Sequence, residues 1–476
     1  MKKTLAVVGG AALLAGCAAP LPDLPRKAPP APPSFTAAPA AAQPTAQPTA
    51  QPTSQSAGEP VAEFWRGFGD ADLDALVSEA IAANPDLKIA AASLAAARAL
   101  ARAADALDAP RLDLAAGATR GRALADGVAR TGNFFSAGVQ AAWEPDLFGR
   151  EDAERAAAAA DVQFAQARQR AAQVSVAAEV ARAYFELRAL QELLRVAEAS
   201  LETQRAALKL VQARLDVGRG TALDSERAIA LVRTTEASLP ALRGELQRAG
   251  FRLAVLTGQA PGAFGARLAA AKPLPSLAPT ALERIGTPAS MLRRRPDVAA
   301  AEAQLQAAAA RLGVARAQLF PSVRLAGALG LNGVRTGDLG SSNSFFWNLG
   351  ASLVYNLLDG GALRARVAAA EAGGDVAVAQ YEKAVLAALE DAEDSLAAYT
   401  ATQQQVQSLF DAARAAERAA ELARARFAAG ASDFLAVLDA EREQLAARER
   451  LVRAQAGAAS ALVGVYRALA GGWGEG

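Results

Sequence analysis

The chain has 476 residues with a net charge of +1, which excludes a bulk attraction to nucleic acid. It contains no His and one Cys, which excludes Ser-His-Asp catalysis, His-zinc sites, internal disulfides and multi-thiolate metal sites. Hydrophobic residues make up 52% and aromatic residues 5%, a composition that favours closely packed long helices over an enzyme.

The N-terminus has the pattern of a secretory signal peptide, predicted to comprise residues 1–16. Met1-Lys2-Lys3 precedes an apolar run from Leu5 to Leu14, too short for the about 20 residues of a membrane-spanning helix. Leu14-Ala15-Gly16-Cys17 resembles the lipobox of bacterial lipoproteins, which implies lipidation of Cys17. The absence of Asp at the next position implies, in such signals, sorting to the outer membrane. The alternative is a signal peptide followed by an incidental Cys.

Residues 17–60 are predicted to be a lipid-anchored, disordered tether. This stretch consists mainly of Pro, Ala, Thr and Gln, and the string Gln43-Pro44-Thr45-Ala46 recurs at Gln47 and, ending in Ser, at Gln51. A segment with almost nothing large to bury is expected to stay extended and mobile.

The remainder contains two copies of one structural unit. Asn84-Pro85-Asp86-Leu87 matches Arg295-Pro296-Asp297-Val298, and Pro110 matches Pro321 at the same spacing. The first copy is assigned to residues 61–258 and the second to 287–472. A Pro/Gly-rich inter-repeat segment, 259–286, separates them, and 473–476 is a C-terminal tail. Self-similarity over this distance indicates duplication.

Each copy predicts a helix, two strands, a long helix, a turn and a helix. The strands of the first copy are expected at Arg111–Arg120 and Phe134–Asp146. Strands of both copies alternate apolar with small or polar residues, with aromatics at the ends of the apolar face. This pattern fits transmembrane strands of about 9–11 residues that face lipid on one side and water on the other. An ordinary half-buried strand is the alternative, which the recurrence in both copies disfavours.

The helices carry a different period. Apolar residues from Val180 to Leu215, and again from Leu239 to Leu256, recur at alternating spacings of three and four, which predicts coiled-coil packing. No strong helix breaker occurs between Arg150 and Leu215. A helix of about 66 residues would extend about 100 Å.

Four membrane strands cannot close a barrel, and an open edge in lipid leaves unsatisfied backbone groups. The chain is therefore expected to share a barrel with copies of itself. Two chains would give eight strands and a filled interior, whereas three would give twelve strands and room for a pore. The small, polar inner faces favour the larger barrel.

A series of motifs resembles the TolC-like outer-membrane efflux proteins, specifically the lipoprotein branch of OprM and NodT type. The motifs are Trp143-Glu-Pro-Asp-Leu-Phe-Gly-Arg150, Arg293-Arg-Arg-Pro-Asp-Val298, Leu319-Phe-Pro-Ser322 and Leu358-Asp-Gly-Gly361. The resemblance implies a mixed fold, with a twelve-stranded β-barrel completed by a homotrimer in the outer membrane of a Gram-negative bacterium and a long α-helical barrel across the periplasm. It also implies a periplasmic adaptor (membrane fusion) protein and an inner-membrane pump of the resistance-nodulation-division class. No cofactor is expected apart from the lipid.

The resemblance places the functional residues at the turns between the long helices, the periplasmic tips. The predicted adaptor contacts are Gly218, Thr221, Leu223, Asp224, Gly430, Ser432, Asp433 and Phe434. Just past the second turn, Leu435, Asp439 and Arg442 lie on one helix face, and the resemblance implies that they constrict the closed mouth. The alternative is an exposed helix pair contributing about 0.3–0.5 kcal/mol. The first copy has Ala230 where the second has Arg442, so its contribution to the gate is left open.

The predicted function is a passive, gated exit duct for small toxic compounds delivered by an inner-membrane pump. A type I protein-secretion channel and a lipid-anchored periplasmic coiled-coil scaffold without a pore are the alternatives. The cluster Glu390-Asp391-Ala392-Glu393-Asp394 is interpreted as a solvated or lumen-facing surface, not as an active site.

Overall fold

The computed structural model describes residues 22–26, 30–37, 63–125, 128–264, 268, 270–274 and 286–469. The predicted signal peptide, Cys17, most of the predicted tether and the C-terminal tail lie outside the described residues.

The two copies contain the same elements in the same order. The first consists of helices α1 (Ala71–Ala83) and α2 (Pro85–Asp105), strands β1 (Arg111–Ala125) and β2 (Val128–Trp143), and helices α3 (Arg150–Asp216) and α4 (Ala222–Leu256). The second consists of α5 (Pro288–Arg294), α6 (Pro296–Ala317), β3 (Ser322–Gly333), β4 (Phe345–Val354), α7 (Ala362–Ala428) and α8 (Phe434–Ala468). The long helices α3 and α7 have 67 residues each, and α4 and α8 have 35 each. The predicted duplication is therefore confirmed, although each copy begins with two helices where the pattern predicted one, because Pro85 and Pro296 start a new helix in each.

The four strands form one antiparallel sheet in the order β1-β2-β3-β4, in which β2 of the first copy pairs with β3 of the second. The pattern predicts strands that stop at Arg120 and resume at Phe134, but the β1–β2 ladder continues to the pair Ala125 and Val128. Backbone hydrogen bonds extend the strands where the side chains no longer alternate. At the other end β2 stops at Trp143, because Pro145 has no N–H to donate to a ladder.

The transition from sheet to helix is fixed by carboxylate caps. The Asp146 carboxylate accepts hydrogen bonds from the backbone N–H groups of Arg150 and Asp152, both at 2.8 Å. In the second copy, Asp359 accepts from the N–H groups of Gly361 (2.9 Å) and Leu363 (2.7 Å). A negative side chain at a helix N-terminus satisfies N–H groups that have no partner within the helix. Both long helices therefore begin at defined residues.

The chain divides into two compact units. One includes residues 93–166 and 300–383 and contains the sheet. The other includes residues 167–299 and 384–476, and its core is built from the predicted seams: Val180, Leu187, Leu190 and Leu201 on α3 are buried together with Leu253 and Leu256 on α4. The coiled-coil period is thus confirmed as a packing surface. Among the described residues, no helix combines the length and apolar character needed to cross a bilayer.

Two described segments of the predicted tether, residues 22–26 and 30–37, contact the folded helices. In the sheet-containing unit, Arg26 forms an ion pair with Glu302 at 3.0 Å. In the other unit, Phe35 is 3% exposed, and the backbone N–H groups of Thr36 and Ala37 both donate to the Glu393 carboxylate at 2.8 Å. The expectation of a mobile segment does not hold for residues 35–37, because a buried aromatic ring and two hydrogen-bonded N–H groups dock them.

Candidate functional site

Where all four strands pair, the sheet has one continuous apolar face. Cross-strand pairing places Leu114, Val139, Leu329 and Trp347 side by side in one row. Leu114 is 85% exposed, Trp347 is 72% exposed and Leu349, in the next row, is 80% exposed. Large apolar side chains left uncovered over a whole sheet face mark a surface that meets an apolar environment. The opposite face carries Asp113, Gln140, Ala328 and Asn348 in one row, so the predicted alternation is confirmed.

The outer strands β1 and β4 have no partner strand on their outer side within the described residues. Their free N–H and C=O groups can be satisfied in lipid only by further strands. The sheet is therefore incomplete as a membrane element in a single chain. The sheet also argues against the alternative of a periplasmic coiled-coil scaffold without a pore, because a coiled coil needs no membrane strands.

The two turns between the long helices share one geometry. Gly218 has a φ of 71° and Gly430 a φ of 74°, a left-handed conformation that glycine adopts without steric cost. The N–H groups of Arg219 and Ala431 each donate at 2.8 Å to a carbonyl in the last turn of the preceding helix. This hydrogen-bonding pattern terminates both helices at matching positions. The sequence-predicted glycines are therefore the turn residues.

The helices after the turns begin with side-chain caps. The Thr221 hydroxyl accepts from the Asp224 N–H (3.1 Å) and donates to the Asp224 carboxylate (2.7 Å). Asp433 accepts from the N–H of Ala436 at 3.2 Å. Of the predicted contact residues, Leu223 is the large apolar one on the surface, with 57% exposure. The caps fix the first turn of both helices, and Leu223 adds an exposed apolar side chain to the first tip.

Phe434 is a correction to the predicted contact set. Its side chain is 2% exposed and packs against Phe427, with ring centroids 5.5 Å apart. It belongs to a small core of its own at the tips, formed with Val211, Ala228, Leu231, Val437 and Leu438. A large ring in the first turn of α8 gains more from burial in this core than from exposure to water.

Arg214, which the sequence did not single out, joins the tips of the two copies. Its guanidinium donates to the carbonyls of Phe427 (2.8 Å) and Ala428 (2.9 Å) at the end of α7. It also lies 4.2 Å from the centroid of the Phe427 ring, within the range of a cation–π contact. A cation at a helix C-terminus satisfies carbonyls that have no helical partner. Its role depends on a contact between distant parts of the chain, which no local pattern reveals.

The predicted gate residues lie together on α8. Leu435, Asp439 and Arg442 are all exposed. No ion pair joins Asp439 or Arg442 to another side chain in the part of the chain that the structure describes, so the simple helix-pair alternative has no contact to support it. Both charges are left available for groups outside this chain.

Behind this face lies a polar cavity of about 190 Å³ lined by residues of α3, α7 and α8. Glu441 is 3% exposed there, with its Oε1 3.4 Å from Arg424 and its Oε2 without a hydrogen-bond partner. Burial raises the pKa of this carboxyl above its usual value, although Arg424 opposes the shift. The ionised carboxylate is therefore costly in this position.

The acidic cluster on α7 is not a solvated surface throughout. The Asp391 carboxylate accepts hydrogen bonds from Arg295 (3.0 Å) and Arg467 (2.9 Å). The Glu393 carboxylate accepts hydrogen bonds from the backbone N–H groups of Thr36 and Ala37. Two of its four carboxylates thus have structural partners. Arg295 also donates to the carbonyl of Ala468 at 2.8 Å, so this arginine lies at a buried helix junction.

A family model described as outer membrane efflux protein matches the chain twice, over residues 76–259 and 287–471. These two matches coincide with the two copies in the fold. Each match to the family model therefore spans one copy, with its two strands and its two long helices.

Two relatives and one solved structure match most of the chain. The pyoverdine export outer membrane protein OpmQ of Pseudomonas aeruginosa is 33% identical over 422 residues, 87% of this chain and 88% of that protein. The toluene efflux pump outer membrane protein TtgF of Pseudomonas putida is 31% identical over 412 residues, 85% of this chain and 84% of that protein. The outer-membrane channel OprN has 35% sequence identity and a TM-score of 0.85, covering 95% of this chain and 99% of that chain.

Proposed function

Because the chain belongs to the outer membrane efflux proteins and is an outer-membrane channel component of an efflux system, we propose that three copies close one duct. Each copy contributes its four strands to a twelve-stranded barrel, and its helices continue the duct into the periplasm. The observation that carries this proposal is the sheet with an exposed apolar face and two open edges. Such a sheet becomes stable in lipid when copies pair edge to edge.

The duct is passive, and an inner-membrane pump supplies the energy. The relatives' names include pyoverdine export and toluene efflux, which supports small molecules as the substrates of this chain. We assign the chain no catalytic step. The pump is of the resistance-nodulation-division class, and a periplasmic adaptor contacts the exposed tip residues Gly218, Thr221, Leu223, Gly430 and Asp433. Cys17 carries the lipid that adds a second membrane anchor to the strands.

The mouth of the duct is closed by Leu435, Asp439 and Arg442. In a threefold arrangement the exposed face of α8 forms an apolar ring with a ring of acidic and basic groups beside it. Asp439 and Arg442 lack partners within the described part of the chain, which supports pairing between copies. A pair shared between copies is broken when the tips separate, so it biases the mouth towards closure.

The test is planar-bilayer conductance of the purified protein, with its oligomer mass measured by native mass spectrometry. Asp439→Ala with Arg442→Ala is expected to leave a trimer and to raise the basal conductance, because the link between copies is lost. Glu443→Ala with Arg450→Ala is the matched control, since this exposed pair on the same helix is joined within one chain at 3.1 Å. Unchanged leak from a folded trimer contradicts the gate, and a monomer or dimer without conductance contradicts the duct.

A further inference from the structure

The face of the sheet opposite the apolar face carries few charges, and we call it the polar face. Among the side chains that the structure describes in β1 to β4, the charged groups on the polar face are Arg111, Asp113 and Arg324. The strand register fixes this assignment, because Arg111 pairs with Ala142 and Arg324 pairs with Ser352, both members of the polar face. Successive side chains of a strand point to opposite faces, so the assignment follows from the parity of the residues.

Both arginines lie at the same end of the sheet. Arg111 is the first residue of β1 and Arg324 the third of β3. These strands run in the same direction, since each is antiparallel to β2, and both follow a helix. The polar face is therefore basic at the end where the chain enters the sheet from the helices.

The surrounding side chains leave a net positive charge at this end of the polar face. The row of Arg111 continues through Ala142, Ala326 and Gly350, none of which carries an acid. The carboxylates that follow or precede the strands are engaged elsewhere: Glu144 pairs with Arg150 at 3.0 Å, and Asp108 lies 3.8 Å from Arg155. Asp113 is the one acid of the described polar face, against two arginines. Its row also contains the neutral Gln140 and Asn348.

We propose that Arg111 and Arg324 make the strand-lined section of the duct selective for anionic solutes over cationic ones at its helix end. This inference rests on the proposed function, in which the polar face lines the duct. Three copies then bring two arginines and one aspartate each to the lumen, and the small Ala and Gly neighbours leave the guanidinium groups projecting into water. Rings of Arg side chains favour anions in pores, and low-dielectric walls strengthen their field.

The test is the reversal potential of single channels in a potassium chloride gradient, measured in the Asp439→Ala, Arg442→Ala background so that the mouth does not limit the current. Arg111→Gln with Arg324→Gln is expected to lower the anion-to-cation permeability ratio by about twofold for each arginine at about 0.1 M salt. The effect should shrink at about 1 M, where the Debye length falls to about 3 Å. Asp113→Asn should shift the ratio in the opposite direction, because it removes the opposing charge.

Arg120→Gln is the matched control. Arg120 is exposed and lies on the same strand as Arg111 but on the apolar face. The substitution therefore removes the same charge from the other side of the sheet. The inference is overturned if conducting channels keep their permeability ratio in the double variant, or if Arg120→Gln changes it equally. A background protein that is a monomer or dimer without conductance contradicts the duct itself, and the inference fails with it.

Discussion

Asn84 and Arg295 occupy matching positions in the two copies and hold equivalent helix ends by different chemistry. The Asn84 amide donates to the carbonyl of Leu256 at the end of α4, and the Arg295 guanidinium donates to that of Ala468 at the end of α8, both at 2.8 Å. Arg295 also forms an ion pair with Asp391 at 3.0 Å. The match between the copies is visible in the sequence, but the carbonyl that each side chain reaches is far away along the chain.

Glu441 is expected to make stability depend on pH. Burial raises its folded-state pKa, so the fold favours the protonated form and loses stability as pH rises through that pKa. Glu441→Gln, which keeps the shape and remains neutral, should remove this loss. The measurement is the thermal unfolding midpoint of wild type and variant between pH about 4 and about 8.

The control for this experiment is Glu443→Gln, two residues further along α8. Glu443 is exposed and pairs with Arg450, so its substitution should leave the wild-type pH dependence in place. A wild-type midpoint that does not fall with pH, or an equal effect of both variants, would show that Glu441 is not the group responsible.

At the residue scale, local spacing predicted what lies on one helix face but not what covers it. Leu435, Asp439 and Arg442 share an exposed face, as the helical period requires. Glu441 and Phe434 are buried by residues from other helices. These helices are far apart in the sequence and come together only when the chain folds. Burial of a single residue is therefore decided by packing between distant elements.

Among the strands, the two copies meet at a pair of glycines that leave no room for a side chain. Gly138 of β2 lies directly opposite Gly330 of β3. A Cβ on Gly138 would approach the Leu329 carbonyl oxygen to 2.5 Å and the Gly330 Cα to 2.9 Å, and neither backbone atom can move aside alone. The two hairpins can pair in this register because these side chains are absent.

Gly138→Ala is expected to weaken the pairing of β2 with β3 by about 1–3 kcal/mol through overpacking. The measurement is the temperature at which the purified protein loses its β-sheet circular dichroism. Gly132→Ala on the same strand is the control, since a Cβ there meets nothing within 4 Å. Equal melting of both variants would contradict the close approach.

At the element scale, the period of the side chains predicted the type of the long helices and strands. The predicted start of the long helix at Arg150 agrees with α3, because no helix breaker follows Arg150 and the Asp146 carboxylate caps the first turn. The β1–β2 hairpin extends beyond its prediction, because Gly, Arg and Thr residues there give no alternating signal while the backbone ladder continues. Regular side-chain patterns predict elements, and backbone pairing extends them.

For the whole molecule, composition misjudged the N-terminal segment. Pro, Ala, Thr and Gln predict mobility, yet Phe35 is buried and Glu393 binds the two N–H groups that follow it. Average composition gives no weight to a single aromatic residue. Docking depends on that residue and on a carboxylate in α7.

Phe35→Ala is expected to weaken the docking of this segment by about 3 kcal/mol, or about a hundredfold in its equilibrium. The measurement is the hydrogen-exchange rate of the Thr36 and Ala37 amide groups in the folded protein, which donate to Glu393. Ser34→Ala is the control, because Ser34 is exposed beside Phe35. Equal exchange rates in wild type and the Phe35 variant would contradict the docked arrangement.

The hydrogen bond from Thr36 to Glu393 joins residues 357 positions apart. A ribosome makes Thr36 early and Glu393 late, so the binding place for the first segment does not exist until most of the chain has been synthesised and folded. The segment next to the predicted lipid attachment is therefore among the last parts to be fixed. Residues 35–37 can therefore become attached to the body only when the second copy has folded far enough to present Glu393.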